Sequence, residues 1–198
     1  MRRLPLTDPT MPPNPKFALA FILGTVTLDA IGIGLIFPVM PDLIREVTGD
    51  DLSNAALWGG VLATAFAVMQ FLFGPILGSL SDRFGRRPVL LVSLLVMVLD
   101  YLVLAIAHTI WFLLAARVVA GIAASTYSTA TAYIADITPT DQRGARFGLI
   151  GAGFGVGFVL GPLIGGLLAG IDTRAPFHAA AALACANLIF GALILPET

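Results

Sequence analysis

The sequence predicts an all-α membrane protein: six transmembrane helices arranged as two inverted-topology three-helix repeats. Three observations carry that fold class. Of the 198 residues, 58% are hydrophobic and 12% are charged, about half the ~25% charge of a water-facing domain. The charges fall in clusters between long apolar runs, the pattern of a chain that crosses a bilayer repeatedly. The frame Phe-x-x-Gly-Pro-x-x-Gly-x-Leu is written twice, as FLFGPILGSL from Phe71 and as FVLGPLIGGL from Phe158.

A helix that crosses a ~30 Å hydrocarbon core needs about 20 residues. Six runs qualify, at 17–39, 55–80, 88–107, 111–133, 145–170 and 177–195. They are read as helices because lipid cannot satisfy open backbone groups. Prolines punctuate them. Pro38 and Pro41 close the first run, Pro88 opens the third and Pro176 precedes the sixth. Residues 1–16, MRRLPLTDPTMPPNPK, are polar and proline-rich and read as a disordered tail. The run after the tail is too long for a signal peptide, lacks a small-x-small cleavage site and contains Asp29.

Direction follows from Lys and Arg. One set of loops and the tail hold Arg2, Arg3, Lys16, Arg83, Arg86, Arg87, Arg143 and Arg146, and the opposite set holds Arg45 and Arg174. The basic set is expected at the cytoplasm, with both termini. The first copy of the repeated phrase then runs inward and meets SDRFGRRP. The second runs outward and meets IDTRAP, where no basic cluster follows. Matching second and fifth spans of opposite direction imply two inverted three-helix units, 1–3 and 4–6, a transporter architecture. In each copy the glycines lie four apart, Gly74 and Gly78 in one and Gly157, Gly161 and Gly165 in the other. Both faces are expected to let a neighbouring backbone approach closely. Pro75 and Pro162 each remove one internal hydrogen bond and are expected to bend their helices.

Three charges fall deep inside spans: Asp29, Asp100 and Arg117. From the ~1.5 Å rise per residue, the two carboxylates lie roughly 18 Å from the basic side and Arg117 about 21 Å from it. Each costs at least ~2.5 kcal/mol in hydrocarbon, so each should face a cavity or a partner. A shared depth near the midplane is where transporter sites are expected. Burial and a nearby Arg act on a carboxyl in opposite directions, so conformation can set its protonation. That suits proton coupling; a purely structural ion pair with Arg117 is the plainer alternative. Polar residues crowd the same level: Ser125, Thr126, Tyr127, Ser128, Thr129 and Thr131 in the fourth span, with Gln70, Tyr101 and Asn187. About half are expected to line a cavity, the others to join helices.

Enzyme chemistry is not expected. Cys185 stands alone, His108 and His178 sit near span ends, and Lys16 is the only lysine, so no Gly-Lys-Ser/Thr phosphate loop exists. No metal site and no nucleic-acid partner are expected.

The loop GSLSDRFGRRP joins the second and third spans, with Gly85 placed for a tight turn. Its pattern, Gly78-x-x-x-Asp82-Arg83-x-Gly85-Arg86-Arg87, resembles the signature loop of the major facilitator superfamily. Arg117-x-x-x-Gly121 resembles that family's fourth-helix motif. Gly157-x-x-x-Gly161-Pro162-x-x-Gly165-Gly166 resembles the antiporter motif of its drug–proton exporters. Asp29-x-x-Gly32-x-Gly34-Leu35-x-x-Pro38-Val39-x-Pro41, Asp100-Tyr101 and Tyr133-Ile134-Ala135-Asp136 are similar to the tetracycline–proton antiporters.

The resemblance implies the N-terminal six-helix half of a drug exporter in the bacterial inner membrane, with residues 196–198 beginning a central cytoplasmic loop. It implies that Asp29, Asp100, Arg117 and Gln70 lie on the substrate and proton pathway, and that Asp82 and Arg86 act in gating. It implies no bound cofactor. Its energy source is the proton gradient, and a divalent cation is allowed as companion to the drug. The partners it implies are the lipid bilayer, the drug, protons and a C-terminal half or second copy. Export of another drug or small metabolite, or a truncated fragment that does not transport, stays open from sequence.

Overall fold

The computed structural model describes residues 15–49 and 51–194, and these form eight helices and no strand. They are α1 (Pro15–Ile36), α2 (Met40–Thr48), α3 (Leu52–Phe84), α4 (Arg86–Ile106), α5 (Ile110–Ala123), α6 (Thr126–Ile137), α7 (Arg143–Ala169) and α8 (Ala175–Ile194). Helices α1, α3, α4, α7 and α8, together with the stretch Ile110–Ile137, are long and apolar enough to cross a membrane. The protein is a six-span, all-helical membrane protein. Residues 1–14 and 195–198 lie outside the described residues, and the last two residues of the expected tail belong to α1. Proline suits the first turn of a helix, where its missing N–H is not needed.

Two features depart from the six simple spans. The first span stops at Ile36, and a separate helix α2 follows, with Pro41 in its first turn and Gly49 closing it at φ 72°. It buries Leu43 and Ile44 and leaves its charges outside. The fourth span is two helices. Between α5 and α6 the chain leaves the helical path at Ala124 and Ser125, with no proline or glycine there. Ser125 is held instead by a 2.7 Å hydroxyl–hydroxyl hydrogen bond to Ser93 of α4. Serine is prone to such substitutes for the helical ladder. At the other junctions the local chemistry is conventional. Asp51 caps α3 by accepting from the Asn54 N–H at 2.9 Å, worth about 1 kcal/mol. Gly85, at φ 95°, supplies the sharp turn from α3 into α4 that a side chain would resist.

Packing follows the repeat. α1 lies along α7 as α5 lies along α3, while α4 and α8 pack on each other. The closest approaches are at glycine. A methyl group on Gly157, Gly161 or Gly165 would stand 2.5 Å from Thr27 O, 2.6 Å from Gly34 Cα or 2.4 Å from Leu35 O of α1. On the other pair, a methyl on Gly121 of α5 would stand 2.5 Å from Phe66 O of α3.

The two copies of the repeated phrase are not packed alike. Gly74 and Gly78 have no neighbour within 4 Å among the described residues, against the expectation that both faces receive a backbone. Gly161 and Gly165 meet Gly34 and Leu35 at the end of α1, whereas α5 ends at Ala123, just beyond the contact of Gly121 with Phe66. Pro75 and Pro162 remain inside unbroken helices. α3 and α7 are the most open spans, 6% and 17% buried against 61% for α1, and they present Phe71 and Leu167 outward. Such apolar surface needs lipid or another protein.

Candidate functional site

A cavity of about 550 Å³ lies between α1, α2, α3, α4 and α5. Its wall is apolar, contributed by Ile33, Ile36, Met40, Leu62, Phe66 and Met97 among others. Set into it are Asp100 of α4 and Arg117 of α5. α4 places Asp100 because Ser93, Met97, Asp100, Tyr101 and Leu104 recur at helical spacing on one face. α5 places Arg117 because Ala120 and Gly121, one turn on, are small enough to let α3 come against it.

Asp100 and Arg117 form a direct ion pair, with side chains 4% and 15% exposed. Arg117 also stacks over Phe66, its guanidinium carbon 5.5 Å from the ring centroid. The pair satisfies only part of its polar inventory. Asp100 Oδ1 and Arg117 Nε are buried without a hydrogen-bond partner among the described residues. Two opposite charges in an apolar wall, each with unspent bonding capacity, can exchange one another for a charged or polar ligand. The break in the fourth span opens onto the same space. Ala124 lines it, and the Gln70 amide donates to Ala124 O at 3.4 Å.

The cavity brings together two of the three membrane charges expected at one level. Asp29 is 8% exposed and does not line this cavity. On α1 it falls one turn before Ile33 and two before Ile36, which do line it. Tyr101 bridges the cavity and α1: it lines the cavity and lies against Gly32, one turn on from Asp29. Asp29 Oδ1 has no hydrogen-bond partner among the described residues. The Asn187 amide of α8 donates to Thr25 O on α1 at 3.2 Å, with its own carbonyl oxygen unpartnered. Gln70 likewise sits beside the cavity without lining it. In the fourth span Ser125, Thr126 and Thr129 are buried, whereas Tyr127 and Ser128 are exposed.

At the basic end, Arg86 is the centre of the motif Gly78–Arg87, which is not the expected loop but helical except at Gly85, where α3 turns into α4. It pairs with Asp82 at 2.5 Å and with Asp136 of α6 at 2.9 Å, and donates to Ser81 at 3.3 Å. Arg83 lies over the Phe84 ring at 5.3 Å. Arg87 donates to Ala192 O at the end of α8 at 2.8 Å. Of the glycine motif, Gly157, Gly161 and Gly165 press on α1, Pro162 abuts Gly34, and Gly166 has open space beside it.

Residues 22–198 match the family model of the Major Facilitator Superfamily. The chain belongs to that superfamily. Among its relatives, this superfamily chain is 53% identical over 181 residues to the tetracycline resistance protein, class C, of Escherichia coli, covering 91% of this chain and 45% of that protein. It is 33% identical over 184 residues to multidrug resistance protein 2 of Bacillus subtilis, covering 92% and 45%. A crystal structure of the human organic anion transporter MFSD10 (TETRAN) superposes with a TM-score of 0.82 at 28% identity, covering 94% of this chain and 49% of that one. The chain therefore spans about half the length of the relatives it matches, and corresponds to their N-terminal half.

Sequence reasoning passed over Phe66, Ser93 and the Arg86–Asp136 pair. Phe66 and Ser93 are ordinary residues of apolar spans, and no spacing in the chain signals that they meet Arg117 and Ser125.

Proposed function

We propose that this chain is the N-terminal half of a drug exporter that works by alternating access, driven by protons, with a tetracycline-class drug as substrate. The observation that carries this reading is the Asp100–Arg117 pair in an otherwise apolar cavity. An apolar wall takes a hydrophobic drug, and a few charged groups fix its orientation. Protonation of Asp100 neutralises one partner and frees the Arg117 guanidinium for an anionic oxygen of the drug. When the drug leaves, Arg117 returns to Asp100 and the carboxyl gives up its proton. Asp29, one turn from the Gly32 contact of Tyr101, is the second proton-carrying carboxyl. A divalent cation travels as part of the cargo, bound to the drug rather than to a resident protein site.

In this reading the basic end, with Asp82, Arg83, Arg86 and Arg87, faces the cytoplasm of a bacterial inner membrane. The open faces of α3 and α7 meet a second six-helix half, and the cavity is completed between the two. The class C relative favours tetracycline as cargo, and the identity to multidrug resistance protein 2 makes a broader drug range the alternative.

The test is uptake into inside-out membrane vesicles energised by a proton gradient. Vesicles carrying the transporter are expected to accumulate tetracycline and to lose that uptake when the gradient is collapsed. Asp29→Asn is expected to reduce uptake to the level of empty vesicles while the protein still inserts, as judged by its amount in washed membranes. Wild-type uptake by Asp29→Asn would remove Asp29 from the coupling. Uptake of another drug without tetracycline would overturn the substrate and leave transport standing.

A further inference from the structure

We infer that α2 is a lid over the cavity at the end opposite the basic loops, held shut by a polar latch centred on Arg174. Arg174 stands in the short loop between α7 and α8. Its guanidinium reaches two other elements. Nε donates to Glu46 Oε1 of α2 at 3.0 Å, with Nη2 2.9 Å from the same oxygen. Nη1 donates to Ala105 O at 2.7 Å, and Nη2 to Ala107 O at 2.8 Å, both at the end of α4. Those carbonyls belong to a helix C-terminus, where acceptors are left over and a cation is favoured. The Arg174 side chain is 17% exposed; its bonds to the α4 carbonyls are partly buried, while the one to Glu46 is open to the solvent that weakens surface pairs.

What the latch holds is a cover. Met40 and Pro41 of α2 line the cavity. Ile44 rests on Gly59 of α3, its Cδ1 3.7 Å from where a methyl there would stand. Ala55, also a lining residue, is fully buried in the same apolar cluster as Leu43 and Ile44. α2 is joined to α1 by a short turn and ends at Gly49, whose positive φ closes it with a left-handed cap. A short helix with two buried residues is the kind of element that opens locally before the long helices do.

The latch also has a counterpart in the repeat. After the first copy of the phrase, Arg87 precedes Pro88 at the start of α4 and donates to a carbonyl at the end of α8. After the second copy, Arg174 shortly precedes Pro176 and donates to carbonyls at the end of α4. Arg86 takes Asp136, at the end of the fourth span; Arg174 takes Glu46, in the segment that follows the first span. These are equivalent places in two inverted units. IDTRAP is thus the partner of SDRFGRRP, with one arginine doing the work of two.

The lid goes beyond the export reading and rests on it only in one respect: if the cavity carries drug, α2 covers its outer mouth. The test needs no drug. The gene product is purified into nanodiscs, which leave both faces open to reagent, with Cys185→Ser and Ala55→Cys as the only reactive cysteine. Ser53→Cys, on the exposed start of α3, serves as the unshielded control. In the otherwise native protein, maleimide is expected to label Ala55→Cys far more slowly than Ser53→Cys. Glu46→Ala, which frees α2 but leaves Arg174 on the α4 carbonyls, is expected to speed labelling about fivefold. Arg174→Ala is expected to speed it at least about thirtyfold, since two further charge-assisted bonds are lost. The double variant should match Arg174→Ala alone. Should Arg174→Ala not fold, Glu46→Ala decides alone, because Glu46 is half-exposed and its loss leaves the other contacts in place. Equal labelling of Ala55→Cys and Ser53→Cys at the outset, or no acceleration by Glu46→Ala, would overturn the lid.

Discussion

Asp100→Asn and Arg117→Gln are each expected to destabilise the folded protein by about 3–5 kcal/mol, and the double variant by clearly less than their sum. The ion pair between them is buried in an apolar wall. Removing one partner leaves the other as a charge with no counter-ion. Removing both leaves two neutral amides that still reach each other. The measurement is a double-mutant cycle on unfolding in nanodiscs or mild detergent. A coupling near 2 kcal/mol is expected for groups in direct contact, and additivity within about 0.5 kcal/mol would mean that the two side chains do not depend on each other. Export separates the second role. If the pair served stability alone, the double variant would lose transport only in proportion to the folded protein it loses. The proposed exchange of Asp100 for drug at Arg117 requires the charges themselves, so the double variant is expected to be inactive per folded molecule.

The sequence shows the parts of this molecule better than their contacts. Six spans and the inverted repeat are legible because a bilayer imposes length and apolarity on every crossing. Asp29, Asp100 and Arg117 stand out for the same reason, as costly charges in apolar runs. Depth along an axis can be read from residue number, but which side chains a cavity admits cannot: Asp100 and Arg117 line it and Asp29 does not. The break at Ala124–Ser125 was invisible because neither proline nor glycine marks it; it is held by Ser93, far away in the chain. α2 was hidden by its brevity, and Arg174 by standing alone in a loop expected to be poor in arginine. A solitary arginine gives no pattern to read until the ends of α2 and α4 are seen to converge on it.

The two copies of the glycine phrase are expected to respond in opposite directions to the same substitution. Gly165→Ala would place a methyl 2.4 Å from Leu35 O, against backbone that cannot turn away as a side chain can. α1 and α7 must move apart, at a cost of about 1–3 kcal/mol. Gly78→Ala, at the equivalent place in the first copy, meets nothing within 4 Å. There the helix is expected to keep its stability or gain up to about 1 kcal/mol from the better helix former. Thermal unfolding of the two variants should therefore shift in opposite senses, and equal losses would show that α3 is packed along that face after all. Export supplies the second readout. If the open glycine face of α3 receives a backbone from the second half, as the face of α7 receives α1, Gly78→Ala should impair transport in a protein whose six-helix half is unharmed. Impaired transport with unimpaired stability would place the function of the first copy between the halves, whereas the second copy holds one half together.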